Sequence, residues 1–197
     1  VIISFEGGEG VGKTTHAANL CSYLSNKELP WLSIREPGGS WLSEEVRALF
    51  FKEGLDTMTE LLLVLASRRQ NIVELIEPGL GKGSIIIIDR FIDSTIVYQG
   101  IAGGLGIETV RHLMEQTGTW LEPDVTFVMD IDPVKGLKRI TPGDKFENRG
   151  IDYHYMLRKA FLDIATDRRH RIINADRDSS EVARDIITIV EEFLPHA

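Results

Sequence analysis

The sequence predicts an α/β fold in three layers, a five-stranded parallel sheet held between two sets of helices. Three observations predict it. Strand-like and helix-like segments alternate along the whole chain, the pattern of parallel strands joined by right-handed helical crossovers. Ser84-Ile85-Ile86-Ile87-Ile88-Asp89 is a continuous β-branched run, as expected of a strand buried on both faces. The chain also opens on an apolar run, Val1 to Glu6, followed by Gly7-Gly8-Glu9-Gly10-Val11-Gly12-Lys13-Thr14-Thr15 and a helical segment from Ala17 to Leu24.

That opening contains G-x-x-x-x-G-K-T between a strand and a helix, the context a phosphate-binding loop requires. Glycines let the backbone curl so that successive N–H groups face phosphate oxygens, and the helix start adds its positive dipole end. Residues Gly7 to Thr15 are therefore the expected nucleotide-binding segment. Lys13 would carry charge to the β- and γ-phosphates, and the Thr14 hydroxyl would ligate Mg²⁺. A chain with this loop is expected to bind a nucleoside triphosphate in a P-loop NTPase fold.

The remaining elements follow in order. Leu29 to Arg35 reads as a second strand, ending in the turn Glu36-Pro37-Gly38-Gly39 at the edge where open α/β sheets bind ligands. Ser40 to Lys52 reads as a helix capped by Ser40. Thr59 to Glu77 reads as a longer one, stopped by Pro78-Gly79. The isoleucine strand ends in Asp89-Arg90, where an acidic residue beside a phosphate loop organises magnesium or, alternatively, caps the next helix. A helix is expected over Asp93 to Gln99, a loop from Gly100 to Gly106, and a helix from Ile107 to Thr117. Asp124 to Asp130 reads as a strand and Pro133 to Ile140 as a short helix. Tyr153 to Arg168, Arg171 to Asn174 and Ser180 to Phe193 read as helix, strand and helix. No linker, repeat or low-complexity tract divides the chain, so residues 1–197 form one expected domain.

Between the last elements lies the polar stretch Thr141 to Gly150, with Lys135, Lys138, Arg139, Lys145 and Arg149 in or beside it. Its charge suits a lid over phosphates, spanning about residues 139–150, and equally a solvated loop.

Composition narrows the function classes. A net charge of -8 argues against a general nucleic-acid binder, which needs a basic face. No apolar run is long enough for a membrane span and no export signal opens the chain. The single cysteine, Cys21, has no partner for an internal disulfide and reads as a core residue. The lone cysteine points to a reducing compartment. His16, His112, His154, His170 and His196 show no metal-ligand spacing. Asp130 and Asp132 resemble a metal pair, but a helix cap is the plainer reading. No Asn-Lys-x-Asp tetrapeptide is present to read guanine, which disfavours a signalling GTPase. The length suits a kinase of small metabolites.

Particular residues carry a resemblance. Glu6-Gly7-x-Glu9-Gly10-x-Gly12-Lys13-Thr14-Thr15, Arg35-Glu36-Pro37-Gly38-Gly39, Ala66-Ser67-Arg68 and Asp89-Arg90-Phe91-x-x-Ser94-x-x-x-Tyr98-Gln99-Gly100 stand in the order and spacing of the thymidylate kinase family. Pro123 to Phe127 and the lid-like Lys145-Phe146-Glu147-Asn148 continue it, so it covers nearly the whole chain. The resemblance implies phosphoryl transfer from ATP to dTMP with Mg²⁺, in a cytoplasmic homodimer. It places Glu9 near the sugar 3′-hydroxyl, Arg90 on the acceptor's 5′-phosphate, and Arg35, Glu36 and Pro37 in the turn lining the acceptor site. It assigns Arg68 to thymine O4, Thr95 to the N3 edge and Tyr98 to closing off the 2′ position, with Ser94 and Gln99 in the same block. Thr14 and Asp89 are the expected metal residues. Lys13, Arg90, Arg139 and Glu9 are the expected catalytic set.

Two positions depart from the family pattern. Glu9 and Val11 supply no basic residue inside the loop, so the charge for the transferring group is expected from the lid, as in the bacterial type. Arg139 is the first choice there, with Lys145 or Arg149 behind it. Family members also commonly hold a phenylalanine four residues before the thymine-reading arginine, where the base stacks; here that residue is Val64. Phe91 and Trp41 stand as replacement rings, beside ordinary core packing for both. A looser base preference, for example toward dUMP, stands as a rival reading. So does a regulatory protein that senses ATP without transferring phosphate.

Overall fold

The computed structural model describes residues 1–141, 143 and 145–194; Pro142 and Asp144 of the expected lid, and His196, lie outside the described residues. Five strands form one sheet: β1 (Ile2–Glu6), β2 (Trp31–Arg35), β3 (Ile85–Asp89), β4 (Val125–Asp130) and β5 (His170–Asn174). Their order is β2-β3-β1-β4-β5, and every pairing is parallel, as expected. Phe5 pairs with both Asp89 and Phe127, and Arg35 with Asp89. That register brings Glu6, Arg35 and Asp89 to one carboxyl edge. The strand order changes direction at β1, so the crevice above β1 and β3 is where a ligand belongs.

Alternation along β1 and β3 divides the core. Ile3, Phe5, Ile85 and Ile87 face α1 (Lys13–Asn26) and α9 (Ser179–Glu191), meeting Leu20, Cys21, Leu24, Val182 and Ile186. Ile2, Ile86 and Ile88 face the other side, meeting Leu61 and Leu65 of α3 (Thr57–Asn71) and Val110 and Met114 of α6 (Ile107–Gln116). Each fully buried isoleucine contributes roughly 1.5–3 kcal/mol. A third cluster joins Phe50, Val64, Val97, Tyr98, Phe146 and Phe161 beside the crevice. Phe50 ends α2 (Trp41–Phe50), and Phe161 belongs to α8 (Ile151–Ile164). Ser40 caps α2, accepting from the Ser43 N–H at 3.3 Å.

Three boundaries differ from expectation. Pro78 does not stop the long helix. After α3 the chain widens into one π-helical stretch, Ile72–Ile76, and resumes as α4 (Glu77–Gly81). The wider turn restarts the hydrogen-bond ladder, so Pro78 falls in a first turn, where a missing N–H leaves no gap. The helix is ended instead by Gly83, at φ +77°. At its other end Asp56 is the cap, accepting from the Thr59 N–H at 3.1 Å. The expected loop at Gly100 is still helical: α5 (Ile92–Thr95) passes into a π-helical stretch, Ile96–Ala102. Finally α8 starts at Ile151 and ends at Ile164, short of Arg168. Between β4 and the polar stretch from Thr141 lies α7 (Pro133–Leu137), capped by Asp132, which accepts from the Val134 N–H at 3.0 Å. Asp130 pairs with Arg158 at 2.6 Å, so the two aspartates form no metal pair. No described helix is long and apolar enough to cross a membrane.

Candidate active site

The loop between β1 and α1 needs its glycines for two reasons. Gly7, Gly10 and Gly12 have φ of +131°, +68° and +91°, which L side chains rarely adopt. At Gly10 the backbone also meets α7 so closely that a Cβ would stand 1.9 Å from the Gly136 carbonyl oxygen. Lys13 is buried, its ammonium donating to the carbonyls of Gly7 (3.0 Å) and Gly8. Burial, then the charge of Arg90, bring its pKa down to about 8, against the pull of Glu9 and Asp89. Thr14 Oγ1 donates to Asp89 Oδ2 at 2.5 Å. Asp89 therefore faces the loop and caps no helix.

This pair fits a magnesium ion. Both are hard oxygen donors, side by side at the phosphate loop, and Mg²⁺ takes one or two protein ligands and completes its shell with water and phosphate.

Arg90 follows β3 in a left-handed conformation, φ +67°. The bend turns its guanidinium over the loop. There it meets both carboxylate oxygens of Glu9 (2.8 and 2.7 Å), the Gly7 carbonyl (3.1 Å) and the Tyr98 hydroxyl (3.3 Å). Tyr98 itself donates to Glu9 at 2.6 Å. Burial pushes the Glu9 carboxyl up, but Arg90, Lys13 and Tyr98 together outweigh it and hold the pKa at about 2. Glu6 sits beneath, fully buried, accepting from the Phe91 N–H (2.8 Å) and the Ser94 hydroxyl (2.5 Å). It thereby fastens the chain just after the bend.

Farther along the cleft Arg68 is only 1% exposed. Its Nε donates to Glu36 at 2.7 Å, one Nη to Thr95 Oγ1 at 2.8 Å, and the other to Met114 Sδ at 3.3 Å. The guanidinium also lies over the Phe91 ring, 4.9 Å from its centre. Burial raises the Glu36 pKa, while Arg68 and Asn71 work against the rise. Asp93 anchors the helix that carries Ser94 and Thr95, accepting from Arg169 at 2.6 and 3.1 Å. Arg35 is exposed and Pro37 accepts from Arg47 at 2.6 Å; both residues line the same cleft. Gln99 donates to Glu60 at 3.4 Å. The cleft is one continuous space of about 690 Å³, lined by loop residues Glu9 to Thr15 and by Arg68 with Thr95.

A family model described as thymidylate kinase matches residues 5–186. The chain belongs to that family. It is 39% identical over 202 residues to the thymidylate kinase of Symbiobacterium thermophilum, covering 99% of this chain and 94% of the relative. It is 37% identical to that of Cutibacterium acnes, with 94% of each covered. Among solved structures, thymidylate kinase from Ehrlichia chaffeensis superposes with a TM-score of 0.80 at 35% identity, covering 96% of this chain and 98% of that one.

Within this thymidylate kinase frame the cleft gathers Glu9, Lys13, Thr14, Arg35, Glu36, Pro37, Arg68, Asp89, Arg90, Ser94, Thr95, Tyr98, Gln99 and Arg139. Gly7 and Gly8 stand behind it, offering carbonyls to Lys13 and Arg90. The lid candidates separate. Arg139 lines the cleft and donates twice to the Ala175 carbonyl at 3.2 Å. Lys145 forms an ion pair with Glu60. Arg149 lies over the Tyr153 ring at 5.3 Å and is not part of the cleft wall. Neither expected replacement ring stands free in the cleft. Phe91 is fully buried under Arg68, and Trp41 is 70% exposed, outside the cleft. The sequence reading missed Glu6, Arg47, Phe50 and Asn71. Glu6 carried a signal, a carboxylate ending a buried strand one residue past Phe5, the partner of Asp89; Phe50 and Asn71 sit on helix faces that read as core, and Arg47 reads as a solvated charge.

Proposed function

We propose that this chain is a dTMP kinase, transferring the γ-phosphoryl group of ATP to dTMP and giving dTDP and ADP. One observation carries the reading: a single cleft is lined by a phosphate loop, by the locked arginine Arg68 and by Arg90. Transfer between two anions is mostly positioning and charge neutralisation. The loop amides and Lys13 hold the donor phosphates. Thr14 and Asp89 would hold Mg²⁺, which neutralises charge on the β- and γ-phosphates when bound. Arg90, fixed by the bend after β3, offers a planar fork to the acceptor phosphate. Glu9 remains ionised and holds that fork in plane.

Base choice follows from Arg68. Glu36, Thr95 and the Phe91 ring fix its plane, and the sulfur of Met114 is a weak acceptor that a carbonyl oxygen improves upon. Thymine O4 is such an oxygen. Cytosine presents an amino group there, setting donor against donor in a buried site. Thymine and uracil differ by one methyl group, worth about 1–3 kcal/mol, so preference between them is modest. Arg139 is the lid residue that serves the transferring group; its position in the cleft wall supports this. A homodimer in the cytoplasm completes the reading, on the resemblance to the family; light scattering on the eluting protein tests the dimer.

ADP formation, followed by a coupled assay with dTMP, dUMP and dCMP in turn, tests the function. Turnover is expected with dTMP, weaker turnover with dUMP and almost none with dCMP. Equal rates with dCMP would remove Arg68 as the base reader, and no turnover with any of them would favour a nucleotide sensor.

A further inference from the structure

Val64 lies one helical turn before Arg68 and lines the cleft, so an isopropyl group borders the space beside the base-reading guanidinium. Losing an aromatic partner weakens a stacked base by about 5- to 150-fold. The cleft is nevertheless rich in rings. Phe50, Phe51 and Phe146 all line it, and Phe50 packs in the same cluster as Val64. Phe146 stacks on Phe50 with ring centres 5.8 Å apart and planes 27° from parallel. That is the offset arrangement a pyrimidine makes with an aromatic face.

We propose that Phe50 is the ring on which the acceptor base stacks, supplying from α2 the flat face that position 64 does not supply from α3. The inference rests on the dTMP kinase reading. Two rings near the site are otherwise engaged: Phe91 lies fully buried with Arg68 over its face, and Tyr98 turns its edge to Phe146 at 84° and donates its hydroxyl to Glu9. Phe50 is different. It ends a regular helix and is 5% exposed; the Phe51 ring meets it edge to face, the Lys145 ammonium lies 5.0 Å from its centre, and it already holds one flat partner, Phe146, against its face. Entry of the base exchanges that partner for another. Arg68 then fixes the edge of the base and Phe50 its plane, two constraints that no single residue imposes.

The test uses the full chain with Phe50→Leu, Phe50→Tyr and the double variant Phe50→Leu/Val64→Phe. Calorimetry gives the dTMP Kd, and steady-state rates give kcat and the KM of each substrate. Leucine keeps an apolar side chain of similar bulk, so unfolding temperature is measured alongside to show that the fold survives. Phe50→Leu is expected to raise the dTMP Kd at least about fivefold while the ATP KM and kcat stay within about twofold. Phe50→Tyr keeps the ring and is expected to stay near wild type, and Val64→Phe is expected to recover most of the loss. A dTMP Kd unchanged in Phe50→Leu, or a loss shared by the ATP KM, overturns the proposal while leaving the kinase reading intact. A wild-type chain that binds no dTMP overturns the kinase reading itself.

Discussion

Arg139 stands just past α7, and its guanidinium rests on the Ala175 carbonyl along the cleft wall. A carbonyl is a modest partner for a cation, so a phosphoryl group can take the guanidinium from it. Arg139→Ala should lower kcat about 10³-fold or more with the dTMP KM little changed, as for a charge that acts mainly in the transition state. Single-turnover rates check this, and an unchanged kcat removes the residue from the mechanism. Glu6 makes a different residue-level prediction. Burial raises its carboxyl from 4.5 to about 7, with Asp93 adding to the rise. Between those values the folded chain keeps a proton that the unfolded chain has released, so this group's stabilisation is full below 4.5 and is lost as pH rises through about 7. Glu6→Gln removes the titration. Chemical denaturation across that window should show the variant gaining on wild type as pH rises, then levelling off. A constant difference would mean that Glu6 stays ionised throughout.

At the scale of elements, the phosphate loop is shaped by what packs against it. Gly10 meets the α7 backbone, where a Cβ would lie 1.9 Å from the Gly136 oxygen, and its φ is +68°. Gly8 has open space around its Cβ position. Gly10→Ala should therefore lower Tm by at least about 4 °C, from about 1–2 kcal/mol of backbone strain plus the displacement of α7. It should also weaken ATP binding, because the loop cannot keep its curl. Gly8→Ala should leave Tm within about 1 °C. Thermal melts with and without ATP separate the two; equal losses would mean that the contact with α7 and the left-handed φ are not what sets Gly10 apart. The π-helical stretch Ile96–Ala102 belongs to this scale as well. It carries Tyr98 and Gln99 toward the cleft, and a wider turn changes which side chains share a face.

For the whole molecule, the sheet was legible because its signals are local. The isoleucine run, the glycine loop and the alternation of segments each need only neighbouring residues to be read. The residues around the cleft were legible where they ended strands, as with Asp89 and Arg90, or stood in the turn after β2, as with Glu36. Thr95 and Tyr98 were reached through the resemblance alone. Phe50 and Asn71 were not legible, because an apolar or amide residue on a helix reads the same facing core or cleft. The helix that runs through Pro78 was misread for a related reason: a π-helical stretch has no sequence mark of its own, yet it decides whether a proline breaks a helix or begins one. What the assembled molecule adds is continuity, one space that joins the loop, Arg90 and Arg68. A crystal structure of the chain with dTMP and a non-hydrolysable ATP analogue tests that joining most directly. The account predicts the acceptor phosphate on Arg90, O4 of thymine on Arg68 and the γ-phosphate at Lys13 in the same cleft. A pyrimidine bound elsewhere, or Arg68 still donating to Met114 with no contact to the base, would contradict it.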